Sequence, residues 1–375
     1  MTLMEQSEAL HRRVRLFAEL SLNIDSVTAS GSESFEELAR SIAQYQYEAI
    51  PGFQRLVDAR NADIKDLAQI PALPVDLFRM TRIAAHPEEI DKTVFYTSGT
   101  TGSERGEHPV RDLQTYNELA LRLGQAALFS HIDRAVVIAL GEYPGKRPSS
   151  SLGHMMGLFM SRFDGRPILS DPAGALFRPD SEERWLANSQ GIDINNLERA
   201  AKIAVHRSEP LVILATSFAL VALLEALDGK RIATPSLTRI MITGGFKGRT
   251  KEVGAPELRA SLARALNTEQ DQMIGEYGMT ELTSQLYEDQ GGEPGVFFAP
   301  PWLRVDAVSP DSGEVLPPGQ AGLARFIDLG NIDSALAILT QDQVRRREDG
   351  GIELLGRAPQ APVRGCSLPF EGLIS

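Results

Sequence analysis

Cysteine is almost absent from these 375 residues, Cys366 being the single one. That excludes an intramolecular disulfide and any multi-cysteine metal site, and leaves the thiol as packing or as chemistry. Basic charge is in deficit, with 38 Lys plus Arg against 50 Asp plus Glu and a formal net charge of −12. This balance favours solubility and offers no electrostatic footprint for nucleic acid. No apolar run is long enough to cross a bilayer, and the N-terminal MTLMEQSEALHRR lacks the hydrophobic core of a signal peptide. A cytoplasmic location without a membrane span is therefore expected. Internal repeats and low-complexity segments are also missing, so what remains is an ordinary globular chain whose 42% hydrophobic content suffices for a sizeable core.

The order of elements follows from the hydrophobic spacing. From Glu8 to Leu20 and from Ser34 to Ile50, apolar residues recur at helical intervals among charges, and Ser34 followed by Glu37 spells a capping box. Pro71, Pro74 and Pro87 then break the pattern, which predicts an extended lead-in. Next come a helical stretch over Leu113 to Leu128, an apolar run at Arg134 to Leu140, and a helix over Ile194 to Arg207. LVILAT at Leu211 to Thr216 hands over to the helical FALVALLEAL, and LTRIMITGG at Leu237 to Gly245 hands over to APELRASLARAL. Short apolar runs alternating with helices predict a mostly parallel sheet covered on both faces, an α/β core. Beyond Gly291 the texture changes to short alternating strands with turn residues between them. The expected organisation is a helical region over 1–90, an α/β core over 91–290, and a β-rich subdomain over 291–375 whose tail carries Cys366.

Chemistry concentrates first in VFYTSGTTGSERG, Val94 to Gly106. A short apolar run ends in a segment of Ser, Thr and Gly, which carries hydroxyl donors and lets backbone amides approach a ligand closely. The loop has no Gly-x-x-x-x-Gly-Lys-Ser/Thr and is not a Walker A motif. By itself it is only moderately informative, its plainer reading being a flexible surface turn.

Further stretches follow it in order: HMMG (His154 to Gly157), TGGF (Thr243 to Phe246), YGMTE (Tyr277 to Glu281), TQD (Thr340 to Asp342) and DGGIELLGR (Asp349 to Arg357). With the loop, they resemble the adenylate-forming superfamily of acyl- and aryl-CoA ligases, adenylation domains and their relatives, from about residue 70 onward. The resemblance implies that family's large α/β domain, with ATP and Mg²⁺ as cofactors. Ser98, Thr100, Thr101 and the amides of Gly99 and Gly102 then supply donors to phosphate, with Arg105 where the family usually has Lys. The resemblance also implies that Gly244 and Gly245 of the TGGF turn and Gly278 beside Tyr277 belong to the nucleotide site. Tyr277 is implied to stack on adenine, Thr280 to reach the α-phosphate, Glu281 to hold Mg²⁺, and Asp342 to accept from the ribose hydroxyls. His154 is implied to lie by the carboxylate substrate, with SLGHMMGLFM and Thr216 to Phe218 walling an acyl pocket. Each has a plainer reading: Tyr277 as a core aromatic, Glu281 as a helix-start charge, Asp342 as a turn cap, His154 as a hydrogen-bonded core residue.

Most members of the superfamily continue past the Gly-Arg motif into a mobile domain that supplies a lysine, and this sequence stops soon after it. Lys247, Arg105 and Arg357 are the candidate cations in its stead. Ala358, Pro359 and Gln360 stand where the family's hinge acid belongs, which places the usual domain rotation in doubt. A short chain of this type with a cysteine near its end resembles the acyl-protein synthetases, or long-chain-fatty-acid protein ligases, which pass the acyl group from AMP to a C-terminal cysteine and then to a reductase partner. Cys366 is the matching residue, and a thiolate is a natural nucleophile toward an acyl adenylate. The expected partners are a fatty carboxylic acid and an acyl-accepting protein such as a reductase or carrier. The alternatives are an acyl- or aryl-CoA ligase of the phenylacetate type using free CoA, and a non-catalytic module that binds nucleotide or acyl adenylate.

Overall fold

Ser34 opens its helix by the reciprocal bonds the capping box requires: the Glu37 N–H donates to Ser34 Oγ at 3.2 Å and the Ser34 N–H donates to Glu37 Oε2 at 2.8 Å. Other helices start by the same logic. Ser150, Asp193 and Thr216 accept from the amides of Gly153, Asn196 and Ala219, satisfying donors that the helix itself leaves open. The computed structural model describes residues 1–22, 33–97, 105–145, 150–164, 182–188, 191–244 and 254–358. In chain order the described helices are α1 (Leu3–Leu22), α2 (Phe35–Ala49), α3 (Pro51–Arg60), α4 (Leu77–Met80), α5 (Leu113–Ala127), α6 (Ser151–Phe163), α7 (Ile194–Arg207), α8 (Ser217–Leu227) and α9 (Ala255–Leu266). The described strands are β1 (Leu73–Pro74), β2 (Thr93–Tyr96), β3 (Glu107–Val110), β4 (Val136–Leu140), β5 (Ala187–Asn188), β6 (Gly191–Ile192), β7 (Leu211–Thr216), β8 (Thr238–Thr243), β9 (Met273–Tyr277), β10 (Leu286–Glu288), β11 (Val296–Phe298), β12 (Leu303–Val308), β13 (Ala321–Asp328), β14 (Ala337–Arg346) and β15 (Ile352–Arg357).

These elements divide into two compact units, one drawn from Met1–Arg122, Met279–Gln285 and Phe298–Ser375, the other from Leu123–Gly278 and Leu286–Phe297. The second unit is the α/β part. Its strands run in the order β11-β10-β9-β8-β7-β4, with β4, β7, β8 and β9 mutually parallel and β10 antiparallel to β9. Strands β4 and β7 are buried along nearly their whole length, which explains why they read as continuous apolar runs rather than alternating ones. One core cluster joins Ile138, Ile213 and Ile240 of the sheet to Leu197 of α7, Leu220 and Leu223 of α8, and Leu262 of α9. Full burial of each such side chain contributes about 1.5–3 kcal/mol.

The first unit sets an antiparallel series β12-β13-β14-β15 beside the N-terminal helices, with β1 joining β14 in parallel through Leu73 opposite Ile338. The hairpin β2-β3 is a separate two-stranded sheet in this unit, pairing Phe95 with His108 and Tyr96 with Glu107. The α/β class expected from the sequence is the class observed. The expectation that the proline-rich stretch is wholly extended needs correction, because α4 forms between Pro74 and Pro87, where no proline interrupts the turn. Among the described residues no helix is long and apolar enough to cross a membrane.

Candidate functional site

In the first unit, the Ser/Thr/Gly loop joins β2 to β3. Ser98, Gly99, Thr100, Thr101 and Gly102 lie outside the described residues; the two stems of the loop are described. Beyond the strand ends the stems stay paired, with the Thr97 N–H donating to the Gly106 carbonyl at 2.9 Å and the Gly106 N–H donating to Thr97 Oγ1 at 2.8 Å. A Cβ at Gly106 would sit 3.0 Å from the Thr97 methyl, which explains a glycine at this stem. Arg105, on the same stem, is exposed.

The segment carrying Thr280 and Glu281 belongs to this unit and is held from several sides. The Thr280 hydroxyl donates to the Tyr96 carbonyl on β2 at 3.5 Å, and the Thr280 carbonyl accepts from Nδ1 of His108 on β3 at 2.6 Å. Asn331 donates through its amide to the Glu281 carbonyl at 2.9 Å. Asp328 accepts from the amides of Thr283 at 3.0 Å and Ser284 at 2.9 Å, and from the Ser284 hydroxyl at 2.7 Å. Burial pushes the Asp328 carboxyl up, while the Ser284 hydroxyl and the surrounding amides hold it down. Glu281 itself is buried, at 6% exposure.

His108 is buried, and that burial lowers its imidazole to about 4 against the opposing bond from the Thr280 carbonyl. It is therefore neutral at physiological pH. Its other nitrogen, Nε2, lies 3.1 Å from the Ser334 hydroxyl, and Phe78 presents a ring edge at 5.8 Å. Elsewhere in this unit Asp342 of β14 stands opposite Arg357 of β15, with Arg357 Nε 3.5 Å from Asp342 Oδ1. The Asp342 N–H donates to Thr340 Oγ1 at 3.1 Å.

In the second unit, the carboxyl ends of parallel β7, β8 and β9 gather a separate set of residues. This is the edge where open α/β sheets bind ligands. Tyr277, half-buried, ends β9 and meets Phe297 edge-on at 6.4 Å, and Gly278 follows it, exposed. Gly244 follows β8 with φ of 72°, a left-handed turn that suits glycine. Its carbonyl accepts from the Ser217 hydroxyl at 2.5 Å. Beside it the Thr243 hydroxyl donates to the carboxyl of Glu276, whose pKa burial raises to about 7 while that bond pulls it down. His154 lies half-buried on α6, and burial lowers its pKa too. Gly245, Lys247 and Cys366 lie outside the described residues.

The structure thus groups the predicted residues into three sets: Thr280 and Glu281 with the loop stems, Asp342 with Arg357, and Tyr277, Gly278 and Gly244 on the sheet edge. His108, Asp328, Asn331 and Glu276 escaped the reading of the sequence. The signal for them was polar residues embedded in apolar stretches, as in ARFIDLGNIDSALAIL, where buried side chains need internal partners.

No protein-family model matches the chain. Over 140 residues it is 26% identical to the long-chain-fatty-acid–luciferin-component ligase of Vibrio harveyi, a match covering 35% of this chain and 36% of that protein. The chain therefore aligns with little more than a third of that curated relative's length. Among solved structures it resembles 2-hydroxyisobutyryl-CoA ligase in the postadenylation state with 2-HIB-AMP, at TM-score 0.61 and 12% identity, over 86% of this chain and 67% of that one. The open conformation of that ligase with 2-HIB-AMP and CoA gives TM-score 0.56 and 12% identity, over 85% and 73%. At these identities the structural likeness speaks for the fold.

Proposed function

We propose that this chain, which has the fold of the adenylate-forming enzymes, is an ATP-dependent ligase that activates a carboxylic acid as its acyl adenylate. The observation that supports the reading is that Thr280, of the YGMTE stretch, is hydrogen-bonded to both strands that flank the Ser/Thr/Gly segment in the chain, to Tyr96 of β2 and to His108 of β3. In the reaction a carboxylate oxygen attacks the α-phosphorus of ATP, the bond to the bridging oxygen breaks, and pyrophosphate leaves. Charge grows on the phosphoryl oxygens, so donors fixed in advance stabilise the transition state. Ser98, Gly99, Thr100, Thr101 and Gly102 supply those donors, Thr280 reaches the α-phosphate, and Arg105 adds positive charge. Tyr277, Gly244, Gly245 and Gly278 are the residues proposed for adenine, Asp342 is the acceptor proposed for the ribose hydroxyls, and Arg357 and Lys247 are the remaining candidate cations. Among the described residues no three His, Cys, Asp or Glu side chains come together as a metal site. Glu281 is the carboxylate that would hold Mg²⁺, a hard ion suited to oxygen ligands that would supply positive charge at the phosphates.

For the second step we propose acyl transfer to the Cys366 thiolate, which attacks the acyl carbonyl and expels AMP to leave a thioester. An acyl-accepting protein, a reductase or a carrier, then receives the group. Likeness to a fatty-acid ligase supports a long-chain acid and this branch over a phenylacetate-type enzyme using free CoA. His154 and the methionines of α6 are the proposed acyl-side residues, soft wall material for an apolar chain.

Intact-mass spectrometry after incubation with ATP, Mg²⁺ and a pool of carboxylic acids tests both steps. The expected result is a hydroxylamine-labile acyl adduct in the wild type that is missing from Cys366→Ser. An adduct that persists in Cys366→Ser overturns the cysteine step, and CoA thioester as the released product with Cys366 dispensable restores the free-CoA reading.

A further inference from the structure

We propose that His108 is a positioning residue that fixes the Thr280–Glu281 segment to the outgoing strand of the phosphate loop. The proposal rests on the ligase reading above. It starts from connectivity. The loop has two stems, and Thr280 is bonded to both: its hydroxyl to Tyr96 on the incoming strand, its carbonyl to His108 on the outgoing strand. Tyr96 and His108 are in turn locked to each other's neighbours by the β2-β3 register, Phe95 opposite His108 and Tyr96 opposite Glu107. Thr280 is therefore tied to both strands by contacts of opposite polarity, the short one to His108 at 2.6 Å and a long one to Tyr96 at 3.5 Å.

The chemistry of the pair fixes the tautomer. A carbonyl oxygen only accepts, so at 2.6 Å Nδ1 of His108 must carry the proton. Nε2 then presents a lone pair, which the Ser334 hydroxyl meets as donor at 3.1 Å. Both ring nitrogens are thus satisfied in a neutral, buried imidazole, and the ring plane is set by partners on opposite sides. Ser334 follows Asp333, the acceptor for Ser7 and His11 of α1 and Tyr45 of α2, so the histidine is anchored from behind to the helical part of its own unit. In a fixed arrangement of this kind, small displacements matter. On the ligase reading Thr280 meets the α-phosphate and Glu281 would hold Mg²⁺, and a shift near 1 Å in such groups costs on the order of 100-fold in rate.

His108→Asn and His108→Ala separate positioning from bulk packing. The asparagine Nδ2 lies at the same covalent distance from Cα as the imidazole Nδ1 and can still donate to the Thr280 carbonyl, whereas alanine cannot. The whole chain is assayed by ATP–pyrophosphate exchange with Mg²⁺ and a pool of fatty acids, with thermal midpoints measured alongside. His108→Ala should lose about 100-fold in kcat while KM for ATP changes by less than about threefold, and His108→Asn should recover at least about tenfold of that loss. An ¹⁵N-histidine NMR spectrum of the wild type should show one buried imidazole protonated at Nδ1 and bare at Nε2. The proposal is overturned by His108→Ala exchanging like the wild type, by His108→Asn falling as far as His108→Ala, or by the Nε2–H tautomer. A wild type that forms the predicted tautomer but catalyses no exchange with any acid overturns the ligase reading instead.

Discussion

Asp333 concentrates several partners on one buried carboxylate in the first unit. Its oxygens accept from Ser7 at 2.5 Å, Tyr45 at 3.0 Å, His11 Nε2 at 2.8 Å and Arg111 Nε at 3.1 Å. Burial alone would raise its pKa, but the bond and charge of His11 and the charge of Arg111 outweigh this and hold it below the usual carboxylate range. The sign follows: this contribution to stability is present above the ordinary aspartate pKa and fades as pH falls below it. Asp333→Ala removes a buried carboxylate and leaves the half-buried Arg111 without this partner, and urea unfolding should show a loss of about 3–5 kcal/mol. Glu276 behaves in the opposite way. Its pKa is raised by burial to about 7, so the folded state holds a proton that the unfolded chain releases near the ordinary value of 4.5. Stability is fully present below that ordinary value and is lost as pH rises through about 7. Glu276→Gln should remove this slope, so that thermal midpoints at pH 8 are higher in the variant than in the wild type.

At the scale of elements, strand β13 shows how closely the antiparallel part of the first unit is packed. A Cβ added at Gly322 would lie 2.5 Å from the Val308 carbonyl oxygen and 2.8 Å from Leu316 Cδ1. The oxygen belongs to the neighbouring strand's backbone, which is fixed by the β12-β13 ladder and cannot move aside. Gly322→Ala should therefore cost about 1–3 kcal/mol, read as a lower denaturation midpoint at unchanged slope. Gly275 on β9 illustrates the same constraint in the second unit, since a Cβ there would lie 2.5 Å from the carboxyl carbon of Glu288. That carboxyl accepts from the Gly275 and Gly295 amides and pairs with Arg259, so it is held in place.

At the scale of the whole molecule, the proposed two half-reactions separate by mutation. Glu281→Ala should lower ATP–pyrophosphate exchange by about 100-fold or more, because the carboxylate proposed to hold Mg²⁺ at the phosphates is lost. Cys366→Ser should leave exchange intact and remove only the thioester. Exchange that survives in Glu281→Ala would assign that carboxylate to structure alone.

Local chemistry made much of the fold legible from the residues in order. The capping box at Ser34, the apolar runs that became β4, β7 and β8, and the helices after them are set by neighbours three or four positions away or by burial on both faces. The motif order from the Ser/Thr/Gly loop through Tyr277–Glu281 to Asp342 and Arg357 was likewise written in the sequence. What local pattern does not encode is which buried polar group meets which. His108 finds Thr280 across 172 positions, and Ser7 finds Asp333 across 326. Periodicity announces that a side chain is buried, whereas the identity of its partner depends on how the chain returns, as residues 279–285 do when they join the N-terminal 122 residues in one unit. The sequence by itself determined the elements and the residue types present for chemistry. Only the tertiary structure decided that both stems of the loop hold Thr280, because hydrogen bonds between distant segments form after the core has fixed where those segments lie.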